Sequence, residues 1–161
     1  MQLSTRARYA VMAMTELAAR EQTGEQRGLA APVTLAEIAA GQQLSLSYLE
    51  QIFGDLRRAG LVRSARGPGG GYRLGRPAAA VTVAAIVEAV AEPVHATRCA
   101  TEAGCLEAGE DGAGRKQCRT HDLWHELGQQ IRFFLAGVSL AEVVAGQVAG
   151  RASRPLGLEE A

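Results

Sequence analysis

At 161 residues the chain has room for one domain of ordinary size, or for a small domain with an added assembly element, which excludes a large multidomain enzyme. Hydrophobic residues at 47% and charged residues at 21% exclude disorder and low-complexity fibres, while 4% aromatics and abundant alanine favour helices over a large sheet. Seventeen basic and seventeen acidic residues cancel overall, yet residues 1 to 76 carry ten arginines against six acids and net +4, leaving −4 for the remainder.

The first expected helix shows in Ala10, Ala13, Met14, Leu17 and Ala18, an apolar stripe at helical spacing. Residues 21 to 32, with Gly24, Gly28 and Pro32 and no periodicity, read as a connector. Thr34-Leu35-Ala36-Glu37 matches a capping box and opens a short helix with Leu35, Ile38 and Ala39 turned inward, stopping at Gly41. Ser45 or Ser47 caps a third helix, with Glu50 three residues after Ser47, and Leu49, Ile52, Phe53 and Leu56 mark its buried face before Gly60 ends it. Two such helices outline a helix-turn-helix. Residues 61 to 65 and 72 to 74 then read as strands around the Gly-rich loop 66 to 71, a hairpin placed where a wing belongs. The loop has no GxxxxGK[ST] pattern and no strand-then-helix context, so a nucleotide cradle is not expected.

Ser47, Tyr48, Gln51, Asp55 and Arg58 fall on the outer face of the third helix, where hydroxyls, an amide and a guanidinium can meet phosphates or base edges. Arg66 at the wing base is placed to enter a neighbouring groove or grip the backbone. Glu50 is different, because a carboxylate in a groove repels phosphates and is tolerated chiefly where it accepts from cytosine N4, so it is assigned selectivity rather than affinity. Arg57, Arg58, Arg63, Arg66, Arg73 and Arg76 face one acid across residues 55 to 76, a local +5 that reads as a positive stripe for phosphate.

A fourth helix follows Thr82, with Val83, Ile86, Val87 and Val90 inward and Pro93 ending it. Residues 94 to 119 hold all three cysteines without apolar period. A long helix follows in which Trp124, Leu127, Ile131, Phe134 and Val138 are spaced 3, 4, 3, 4, a heptad seam whose natural partner is the same helix of a second subunit. Ser139-Leu140-Ala141-Glu142 opens a last short helix. No apolar run approaches the ~20 residues of a membrane span and the start lacks a signal-peptide core, so the expectation is a soluble cytoplasmic protein with no membrane partner.

Cys99, Cys105, Cys118 and His121 form C-x(5)-C-x(12)-C-x(2)-H, with the last two at the mouth of the long helix. Three thiols cannot all pair internally, and thiolates with one imidazole suit zinc or an iron–sulfur centre. The helix N-terminus favours the thiolate of Cys118 and the neutral form of His121. No nucleophile–base pair stands out, so no catalytic residue is assigned and an enzyme is not expected.

Leu3-Ser4-Thr5, Arg8-Tyr9-Ala10-Val11, Ser45-Leu46-Ser47-Tyr48-Leu49-Glu50-Gln51, Gly60-Leu61-Val62 and Arg66-Gly67-Pro68-Gly69-Gly70-Gly71-Tyr72 closely resemble the Rrf2 family of bacterial regulators. Ala96-Thr97-Arg98-Cys99, Cys118-Arg119-Thr120-His121 and Leu123-Trp124 resemble its iron–sulfur cluster regulators. Over roughly residues 1 to 148 the resemblance implies a homodimeric winged helix-turn-helix repressor and activator of cluster-biogenesis genes. It implies one 2Fe-2S cluster per subunit, supplied by the cluster-assembly machinery and held by Cys99, Cys105, Cys118 and His121. DNA contacts carry over to Ser45, Ser47, Tyr48, Gln51 and Arg66, with Glu50 distinguishing two operator classes by cluster state; Arg58 and Gly67 complete the predicted set on double-stranded operator DNA. The stretch 106 to 117 and the loop after the first helix are longer than the family pattern, at a chain-entropy cost of only about 0.6 kcal/mol per doubling. The expected organisation is a mainly α chain with a small β-hairpin. It has a winged helix-turn-helix at 1–92, a cluster-binding loop at 93–121, a dimerisation helix with a short final helix at 122–148 and a flexible tail at 149–161. Two alternatives remain: the same fold with zinc or a thiol switch, and an iron–sulfur carrier that uses the hairpin only for protein contacts.

Overall fold

The computed structural model describes residues 4–28, 31–67, 69–90 and 119–149. Helix α1 spans Thr5–Gln26, and the Ser4 hydroxyl caps it by accepting from the Ala7 amide at 3.2 Å. Its inner face is the predicted stripe, with Ala7 added. The helix runs on through much of the segment expected to be a connector, because Glu21, Gln22, Glu25 and Gln26 are good helix formers and outweigh Thr23 and Gly24 between them. Gly28, at φ +67°, provides the left-handed stop.

Helix α2 covers Leu35–Gln42 and opens with the expected capping box, Thr34 and Glu37 each serving the other's backbone amide. It passes Gly41 by one residue and turns on Gln43 in the left-handed region. Helix α3, Leu46–Arg58, buries Leu49, Ile52, Phe53 and Leu56. Ser45 takes the N-cap position but its side chain makes no capping bond, so the Ser47–Glu50 box does not form and both side chains face outward. Gly60 at φ +70° lets the Leu61 amide reach back to the Leu56 carbonyl at 2.9 Å, closing the helix.

Strands β1 (Val62–Ala65) and β2 (Gly71–Leu74) pair antiparallel, Val62 opposite Leu74 and Ala65 opposite Gly71. The far edge of β2 is also paired. Val33 and Tyr72 exchange both backbone bonds, at 2.7 and 2.9 Å, so the segment before α2 borders the wing. A 3-10 turn at Ala78–Ala80 leads to α4, Val83–Ala89, capped by Thr82. Helix α5 spans His121–Gly137, and α6, Leu140–Val144, opens with a capping box between Ser139 and Glu142.

Helix α1 lies at the centre, touching α2, α3, α4, α6 and β2. Met14, Leu17, Ile38, Leu49, Ile52, Phe53, Leu56 and Ile86 fill the core, which contains no buried polar residue among those described. One heptad position departs from expectation. Val138 follows the end of α5, is 2% exposed, and accepts the Val83 amide at 2.9 Å. Helical periodicity no longer applies there, and the valine joins Leu140 in the subunit's own core. Within α5, Gly128 is buried and Leu135 packs on the core, whereas Leu123, Leu127, Phe133 and Phe134 are exposed and Trp124 and Ile131 half-buried. None of the described helices is long and apolar enough to cross a membrane.

Candidate nucleic-acid interface

The outer face of α3 is set by its inner one: once four apolar side chains are locked in the core, Ser47, Glu50 and Gln51 are turned to solvent. Ser45 and Ser47 hold their hydroxyl oxygens 3.0 Å apart at the entrance of the helix, a pair of exposed groups able to donate to phosphate. Tyr48 is half-buried and meets Tyr9 of α1 edge-on, with ring centroids 5.9 Å apart, so its ring is oriented from behind.

Asp55 does not point freely outward as its spacing suggested. Its side chain is 11% exposed and ion-pairs both with Arg6 from the first turns of α1 and with Arg58 one turn further along α3. Arg58 keeps 77% of its side chain exposed, so the pair leaves its guanidinium at the surface while anchoring one side of it. No spacing rule could reveal Arg6 as a partner, since 49 residues separate it from Asp55.

The wing is fastened to the reading helix by Tyr72, whose ring meets Phe53 edge-on at 4.8 Å. The sequence marked Tyr72 as a strand residue and as the last residue of the glycine-rich motif, not as a partner of the third helix. Its exchange of backbone bonds with Val33 needs a glycine at position 71, where a Cβ would stand 2.5 Å from the Val33 carbonyl oxygen. Arg66 and Gly67 are exposed where the wing leaves β1.

The six arginines do not form one stripe. Arg57, Arg58 and Arg66 are exposed on α3 and the wing. Arg63 and Arg76 line a cleft with Glu21 and Glu25 of α1, and Arg73 lies in reach of Glu21. Burial pushes the Glu21 carboxyl above its ordinary value, opposed by the hydrogen bond it accepts from the Leu74 amide at 3.1 Å and by the charges of Arg73 and Arg63.

Of the four expected metal ligands, Cys99, Cys105 and Cys118 lie outside the described residues. His121 is the first residue of α5 and stacks at 6.3 Å on His125 one turn later. Among the described residues no three His, Cys, Asp or Glu side chains converge on a metal position.

A helix-turn-helix followed directly by a hairpin pinned to its second helix defines a winged-helix DNA-binding protein. Within that class the chain belongs to the Rrf2 family, iron-dependent transcriptional regulators, whose pattern is matched by residues 3–146. It is 50% identical over 145 residues to the HTH-type transcriptional regulator ORF2 of Azotobacter vinelandii, covering 90% of this chain and 80% of that one. It is 47% identical over 147 residues to the HTH-type transcriptional regulator IscR of Yersinia pestis, covering 91% and 81%. Among solved structures it is similar to CymR, the global cysteine regulator of B. subtilis, with TM-score 0.69 and 31% identity over 91% of this chain and 98% of that one. T. potens IscR gives TM-score 0.68 and 30% identity over 96% and 93%. The protein is therefore a DNA-binding transcriptional regulator of this family, similar to IscR.

Proposed function

We propose that this regulator chooses its operators according to whether a 2Fe-2S cluster is held by Cys99, Cys105, Cys118 and His121, and that it acts as a homodimer on genes of cluster biogenesis. The observation that carries the reading is the position of His121. The expected imidazole ligand opens the same helix that displays the exposed apolar side chains Leu123, Leu127 and Phe134. Ligand site and subunit contact then share one element. The donor set suits the group, since three soft thiolates and one imidazole satisfy an iron–sulfur centre. When bound, the cluster supplies an oxygen- and redox-labile tie between the cysteine segment and the first turn of α5.

The rest is carried by the chain's own residues. Helix α5 packs along α4, and α4 touches α1 and α3, so a change in how α5 begins reaches the paired α3 helices through packed helices. Two α3 helices then address half-sites about 34 Å apart, with Ser45, Ser47, Tyr48 and Gln51 on the groove, Glu50 screening bases, and Arg58, Arg66 and Gly67 at the backbone. Purification without oxygen should yield red-brown protein with visible absorption and equal iron and sulfide. Cys99→Ala should remove the colour and change the set of promoter fragments shifted in a gel. Colourless wild-type protein, or unchanged preference after cluster loss, overturns the proposal. The fold likeness to CymR, a regulator named for cysteine, favours as second reading the same reading head governed by zinc or a thiol switch. Stoichiometric zinc, or a redox response without iron, selects it. A carrier that uses the hairpin only for protein contacts would show no operator preference at all.

A further inference from the structure

Between α1, the base of the wing and α6 lies a cleft of about 570 Å³, inside the size range of small-molecule sites, roughly 300–1,000 Å³. Its walls differ in charge. Glu21 and Glu25, one turn apart on α1, form an acidic wall, and Arg63 and Arg76, from β1 and the residue pair after β2, form a basic one. Ala18, Leu74, Ala78, Ala141 and Val144 supply apolar surface between them. Glu21 already spends one oxygen on the Leu74 amide and feels Arg63 and Arg73. Glu25, Arg63 and Arg76 make no side-chain hydrogen bond or ion pair among the described residues.

We propose that this cleft is an effector site for an aliphatic α-amino acid, the ammonium held by the Glu25 wall, the carboxylate by Arg63 and Arg76, and the side chain against Ala18, Ala141 and Val144. A zwitterion satisfies both walls at once, whereas a purely anionic or cationic ligand leaves one charged wall unmatched in a partly enclosed space. A hydrocarbon side chain uses the apolar floor that a bare polar metabolite would leave wet. The site joins parts that matter for DNA binding: α1 supports α3, β1 and β2 carry the wing, and α6 follows α5. Occupancy therefore biases the wing's angle to the reading helix, which couples ligand affinity to operator affinity reciprocally.

The test is titration calorimetry on the full-length protein with L-leucine, 3-methylbutylamine and 4-methylpentanoate, the last two keeping the hydrocarbon but only one charge each. Leucine should bind, and each singly charged analogue should bind about tenfold or more weaker, because each loses a charge-assisted contact. Glu25→Gln and Arg76→Gln, both exposed and outside the core, should weaken leucine by about tenfold while leaving the thermal melting profile unchanged. Leucine should also shift the operator titration, the variants needing about tenfold more leucine than wild type for the same shift. Absence of leucine binding, equal binding of the three probes, or equal binding by the variants overturns the proposal. The readout involves neither iron nor colour, so this result stands apart from the test of the cluster.

Discussion

Glu50 and Asp55 are both carboxylates on α3, and their surroundings give them opposite tasks. Asp55 is enclosed and neutralised by Arg6 and Arg58, so it builds the interface from behind. Glu50 is exposed and has no side-chain hydrogen bond or ion pair among the described residues, leaving its charge available to reject or accept a base. Glu50→Ala should keep wild-type stability within about 0.5 kcal/mol and broaden the set of operators bound by cluster-free protein, as read by gel shift on promoter fragments. Glu21 and Glu37 show a second contrast. Glu37 is held below its ordinary value by the Thr34 hydroxyl and then the Thr34 amide, so its contribution exists above the unfolded pKa and is lost as acid protonates it. Glu21 is raised, chiefly by burial, so its native state binds its proton more tightly than the unfolded chain. The stability tied to that proton is present below 4.5 and declines as pH rises through the raised native value. Glu21→Gln should remove this decline, so the urea midpoint of the variant should gain on wild type as pH rises above 4.5.

At the scale of elements, the wing and α5 depend on different kinds of fit. The wing is held by close backbone approach, because β2 must sit against Val33 on one edge and β1 on the other. Gly71→Ala puts a methyl group into the Val33 carbonyl and should cost about 1–3 kcal/mol in denaturant unfolding, with operator affinity falling in parallel. Helix α5 instead presents the exposed apolar side chains Leu123, Leu127, Phe133 and Phe134. Leu127→Asp combined with Phe134→Asp should leave the helical circular dichroism intact, since both side chains are exposed, and should shift light scattering to the mass of one subunit. Val138→Asp should behave differently and prevent folding, because that side chain lies inside the subunit's core. If the exposed pair proves neutral to assembly, α5 is not the subunit contact.

For the whole molecule, zero net charge conceals a division that only folding completes. Of the six arginines crowded into residues 55 to 76, Arg63, Arg73 and Arg76 lie near the acids of α1, while Arg57, Arg58 and Arg66 are exposed on α3 and the wing. If each of those three meets one phosphate in each of two subunits, the log–log slope of affinity against salt should be about −5. A slope near zero would remove electrostatics from the reading head altogether, while one near twice that value would mean the cleft arginines also face DNA.

The helices, two of their capping boxes and the hairpin were legible in the sequence because each rests on neighbours in the chain, whereas the expected Ser47–Glu50 box does not form. The stripe of α1, the Thr34–Glu37 and Ser139–Glu142 boxes and the glycine-marked turn are local patterns whose physics acts within a few residues. Where α1 ended was less legible, since a polar segment without apolar period still forms helix when its residues have the propensity and its Glu21 accepts from the Leu74 amide. The pairing of Asp55 with Arg6, the Phe53–Tyr72 contact that fastens the wing, the capture of Val138 by the core and the two-walled cleft belong to tertiary structure alone. Each joins residues far apart along the chain, and the distance between such residues is decided by how whole helices pack rather than by the order in which side chains follow one another.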